Sequence, residues 1–131
     1  MVLILLTFIG LGITYSLVTP VFEAPDEIRH YFYVMHLADE RTLPVLTIPE
    51  EEAFQHEGSQ PPLYYLLGAL ATFWTDTDDV QSLLLPNPYA RIGIPLALGN
   101  KNVIIHTDQE AFPFRGAVLA VHLVRFLSVL L

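Results

Sequence analysis

The sequence predicts a mainly α-helical polytopic membrane protein fragment. The reading has a first transmembrane helix over residues 1–19, a long loop with juxtamembrane helices over 20–114, and the truncated start of a second transmembrane helix over 115–131. Three observations carry it. Val2 to Val18 contains no charge, and its only aliphatic hydroxyls are Thr7, Thr14 and Ser16. Ala117 to Leu131 is apolar except for His122, Arg125 and Ser128. Between them lie all fourteen acidic residues and five of the six basic ones, a formal −9.

The first segment would rise about 26 Å as a helix, slightly under a hydrocarbon core of roughly 30 Å, a mismatch that a bilayer tolerates. A cleaved signal peptide is the competing reading, but no Lys or Arg precedes Arg29. Pro20 and Pro25 discourage continuation of this helix, and Asp26 is placed to cap the next. Ile28, Phe32 and Met35, joined by Tyr31 and Ala38, share one face of a helix expected to end near Glu40. Residues 47–59 are acidic and interrupted by Pro49 and Gly58, with a short helix expected through 50–54. Pro61–Pro62 opens a further helix continuing to Trp74, about 21 Å long and suited to a juxtamembrane or buried position. Beyond Asp76 the signal weakens. Asn100–Lys101–Asn102 reads as a turn, Val103–Ile105 as a short strand, and the terminal helix starts at Arg115 or Gly116. No cap follows Leu131, so this helix is expected to continue in a missing C-terminal portion.

Composition excludes some functions. The acidic central segment has no basic footprint for nucleic acid and no polybasic lipid anchor. With no cysteine there is no disulfide framework, thiolate zinc site or cysteine nucleophile.

Asp26–Glu27 is the sharpest chemical candidate. A helix N-terminus stabilises carboxylates and presents unpaired backbone donors, so Asp26 can stay ionised and accept a proton, with Glu27 as the neighbouring catalytic candidate. The plainer account is an Asp cap and a solvated Glu. The same pair is a candidate for a divalent metal such as Mg or Mn. His30 stands one turn later, within reach of either carboxylate, to organise an acid–base site or join an oxygen–nitrogen metal site, or else to stabilise the first turns or face water. Gln60, Tyr64 and Tyr65 gather polar groups where an apolar helix begins, which fits a substrate cavity or an interfacial aromatic belt. Arg125, a cation in an apolar helix, needs a partner: a bound phosphate or an internal carboxylate.

The ordered landmarks Pro25–Asp26–Glu27–Ile28–Arg29–His30–Tyr31, Gln60–Pro61–Pro62–Leu63–Tyr64–Tyr65 and Arg125–Phe126–Leu127–Ser128 resemble the N-terminal part of protein O-mannosyltransferase-like membrane glycosyltransferases of the GT-C fold (glycosyltransferase family 39-like). Many relatives carry His where this chain has Gln60, so that position loses a titratable imidazole. The resemblance implies an integral membrane enzyme, in the plasma membrane, with the 20–114 loop on the non-cytoplasmic side. It implies transfer of a sugar from a polyprenyl-phosphate-linked donor to an unidentified acceptor, among membrane lipids. Asp26 and Glu27 would be catalytic, and His30, Gln60, Tyr64, Tyr65 and Arg125 would bind substrate. A noncatalytic membrane scaffold or a transporter fragment is the alternative.

Overall fold

Proline and glycine positions divide the chain into helices whose apolar faces meet. The computed structural model describes residues 1–46, 54–91, 94, 96, 98–99 and 102–131, with 55 and 56 described by backbone alone. The expected helix at 50–54 and the turn at 100–102 fall mostly outside the described residues.

Among the described residues, five α-helices follow in order: α1 Val2–Val18, α2 Glu27–Asp39, α3 Leu63–Thr72, α4 Val80–Leu83 and α5 Gly116–Leu130. Two 3-10 turns, Gln55–Ser59 and Asp108–Glu110, lie between them. The strand expected at Val103–Ile105 is reduced to one antiparallel bridge, Ile104 against Pro86. Pro86 has no N–H to extend a ladder, although Ile105 N–H donates to Leu85 O at 2.8 Å and Asn87 N–H to Val103 O at 2.9 Å.

α2, α3 and α5 enclose the core. Val34, Tyr33, Val118 and Val121 are its largest fully buried side chains. The face expected from Ile28, Phe32 and Met35, with Tyr31 and Ala38, does meet the core, Tyr31 and Phe32 buried and the other three packed partly against it, but Tyr33, Val34 and Leu37 are buried as well. A single-stripe periodicity fails here because α2 is covered on more than one side. Gly68 brings α3 close to α2, since a Cβ there would lie 2.9 Å from a Val34 methyl. α1 packs along α5. It leaves Leu3, Ile4, Leu6, Phe8 and Leu11 more than half exposed.

The membrane reading is corrected. α1 has 17 residues and α5 has 15. Among the described residues, no helix is long and apolar enough to cross a membrane. The expectations of a polytopic membrane fold, transmembrane terminal helices and an integral plasma-membrane location are withdrawn in favour of an all-α packed domain.

Candidate functional site

A cleft of about 350 Å³ opens where α2, α3 and α5 meet. Glu27 and His30 reach it from the first turns of α2, Tyr64 and Tyr65 from the first turn of α3, and Arg125 and Ser128 from the last turns of α5. Residues almost a hundred positions apart are thus neighbours.

Arg125 and Glu27 form its charged wall. The guanidinium Nε and Nη2 donate to the two oxygens of Glu27, the latter at 2.7 Å. Nη1 donates to the carbonyls of Ser16 and Thr19, at 2.9 and 2.6 Å, and Nη2 also reaches Pro20 O at 2.9 Å. All five guanidinium donors are engaged. Glu27 accepts a further bond from Phe22 N–H at 2.8 Å. The pair is largely shielded, with 10% and 14% side-chain exposure. It pins the end of α1 to α2 and α5.

The remaining polar groups are uncharged hydroxyls and an imidazole. His30 Nδ1 and Tyr65 Oη lie 2.8 Å apart, and Glu57 stands 3.9 Å from the same nitrogen. Burial pushes the Tyr65 hydroxyl up to about 12, reinforced by Glu57, Tyr33 and Tyr64, so it stays protonated. His30 Nδ1 and Tyr65 Oη share that one hydrogen bond, and His30 Nε2 has no partner among the described residues. Ser128 donates to Val124 O at 3.0 Å, so Tyr64 donates to Ser128 Oγ at 2.7 Å and keeps its acceptor capacity. Tyr65 is held by stacking on Tyr33, with centroids 3.9 Å apart.

Asp26 and Gln60 lie outside the lining of this cleft. Asp26 adopts a left-handed backbone (φ 59°) without a side-chain cap bond, and its carboxylate pairs with Arg29 at 3.1 Å on the surface. Gln60 is exposed ahead of α3. The carboxylates expected to share a metal are each committed to a different arginine. Among the described residues, no three His, Cys, Asp or Glu side chains group to hold a metal ion.

Sequence reading passed over a second cluster. His106 Nδ1 lies 2.6 Å from Glu110 Oε1 and its Nε2 lies 3.0 Å from Glu23 Oε1. Glu23 also accepts the N–H groups of Val103 and Ile104, and Glu110 that of Val21. Burial lowers the His106 pKa, but the hydrogen bonds to Glu110 and Glu23 outweigh it and the net shift is upward. The four-residue spacing of His106 and Glu110 was the available local signal. Glu23 comes from 83 residues away.

Comparisons of the chain with protein-family models, curated proteins and solved structures found no match. The resemblance to protein O-mannosyltransferase-like GT-C enzymes is accordingly corrected, and with it the glycosyltransferase activity, the polyprenyl-phosphate-linked donor and the membrane-lipid partners. The scaffold and transporter alternatives fall too, because both required membrane-spanning helices that the described structure lacks.

Proposed function

We propose that the α2–α3–α5 cleft is a binding site for a small, uncharged, hydroxyl-bearing molecule such as a polyol. One observation carries this reading: the cleft's Glu27 and Arg125 neutralise each other with every guanidinium donor engaged. His30, Tyr64, Tyr65 and Ser128 supply the other polar atoms around it. With their hydrogens spent on Ser128 Oγ and Val124 O, Tyr64 and Ser128 offer acceptor lone pairs to ligand hydroxyls, and His30 adds a ring nitrogen on the same wall. Pro25, Tyr31, Val121 and Val124 add apolar wall for the C–H face of such a ligand. The volume lies at the small end of the range for ligand pockets, roughly 300–1,000 Å³. Arg125 serves as a positioning residue, since binding a phosphate would require breaking its internal cage.

Amide chemical-shift titration with myo-inositol, and with inorganic phosphate as the charged comparator, tests this. Saturable shifts confined to the first turns of α2 and α3 and the end of α5 are expected with the polyol and absent with phosphate. Tyr64→Phe should weaken polyol binding about tenfold, the effect of one hydrogen bond worth roughly 1.4 kcal/mol. A cleft responding to phosphate and indifferent to neutral polyols would reject the reading.

A further inference from the structure

A second concavity lies away from this cleft, between the C-terminal end of α2 and one stripe of α3. It encloses about 540 Å³. Leu37 and Ala69 form a buried floor, at 6% and 7% exposure. Leu43, Leu66, Leu70 and Phe73 form walls that stay 42–68% exposed. Such a run of large exposed side chains along one helix face is unusual without an occupant.

Arg41 is the single charged residue among the described residues of this lining. Among the described residues its guanidinium has no hydrogen-bond or ion-pair partner, although Asp39 and Glu40 precede it directly. Its backbone is left-handed (φ 56°), immediately after the last turn of α2, a place that glycine usually fills. The turn sends Arg41, Thr42 and Leu43 along the groove. An unpaired cation on a strained residue beside an apolar trough is a recognisable arrangement for an amphiphile.

We propose that this groove binds a free single-chain amphiphile with one carboxylate head, the head paired with Arg41 and the acyl chain lying along the α3 stripe. Charge complementarity selects the head. One guanidinium matches one carboxylate in a bidentate pair. The adjacent Asp39 and Glu40, on a chain of net −8, oppose any ligand of higher negative charge. The stripe from Pro62 to Phe73 runs about 16 Å, comparable to an extended dodecyl chain.

Trp74, the only tryptophan, directly follows Phe73 of the lining and serves as the fluorescence probe. Its fluorescence would be followed while the full chain is titrated with octanoate, decanoate and dodecanoate below their micellar concentrations. Saturable one-to-one binding that tightens about fourfold per added methylene is expected. Arg41→Gln should weaken dodecanoate about tenfold while leaving the neutral dodecyl maltoside unchanged, and Arg41→Lys should retain most of the affinity. Circular dichroism of each variant separates lost binding from lost fold, and Arg41→Gly, which suits the backbone, should fold well and still bind weakly. Equal dodecanoate affinity in wild type and Arg41→Gln would overturn the proposal. So would self-association, or cosedimentation with phosphatidylcholine vesicles, in a protein whose Trp74 ignores dodecanoate; the groove would then belong to a second copy or to a lipid surface.

Discussion

Arg125 shows how one residue organises this molecule. A guanidinium inside an apolar helix is tolerated when its donors are all satisfied, and here two come to rest on Glu27 and the others on three carbonyls at the end of α1. Glu27→Gln removes the compensating charge but leaves the cation shielded. A destabilisation of about 3–5 kcal/mol is expected, measured by urea unfolding. The joint replacement Glu27→Leu with Arg125→Met should cost less than Glu27→Gln alone, because no buried charge is stranded. A joint variant as unstable as Glu27→Gln would mean that the carbonyl cage, not the ion pair, holds the end of α1. Tyr31 presents the opposite case: its hydroxyl is buried with no partner among the described residues, and burial, with Asp79 and Asp39 behind it, raises its pKa.

Among the elements, α5 depends on a cap from outside its own sequence neighbourhood. Arg115 occupies the cap position but makes no side-chain cap bond. Asp79, at the start of α4, accepts Ala117 N–H at 2.8 Å instead. Gly116 has φ 55°, and a Cβ there would collide with the Asp79 carboxylate at 2.1 Å, so the glycine makes the cap possible. Asp79→Ala should destabilise the fold by about 1 kcal/mol through loss of this cap, seen as a lower urea midpoint at unchanged slope. No change would show the first turn of α5 to be satisfied by solvent. Element positions were largely legible beforehand. Prolines at 20, 25 and 61–62 and the glycine at 116 mark the boundaries of α1, α2, α3 and α5 within a residue or two. The full width of α2's buried surface was not legible: Tyr31 and Phe32 were, but Tyr33 and Val34 are covered by partners that a single-helix pattern does not contain.

Across the whole molecule, two histidines give the stability opposite pH dependences. His106, between Glu110 and Glu23, has its pKa raised. Its stabilisation is complete below the unfolded value of about 6.5 and is lost as pH rises through the folded value. His122 is lowered, first by burial and then by Arg125, and it stacks on Phe114 at 3.8 Å. It is neutral in the fold above about pH 6.5, and its contribution is lost as pH falls from there towards its folded value. Imidazole proton NMR should therefore give a midpoint above 6.5 for His106 and below it for His122. In His106→Asn, stability should fall on acidification from pH 7.5 to 5.5 more steeply than in wild type, since only the His122 term remains. Coincident midpoints would remove this account.

Local pattern was sufficient for the helices, the acidic middle of the chain and the residues worth watching, because periodicity, proline and glycine act over a few neighbouring positions. It misjudged the setting of the terminal helices. Apolar composition alone does not separate a 17-residue helix packed on α5 from a span. Tertiary packing alone decided that Glu27, His30, Tyr64, Tyr65 and Arg125 would surround one cleft while Asp26 and Gln60 would not. It also decided that Arg125 would be consumed by Glu27 rather than left for a ligand. The physical reason is distance along the chain. Glu27 and Arg125 stand 98 residues apart, and pairing across that separation follows from how three helices pack, which the spacing of residues within any one of them does not contain.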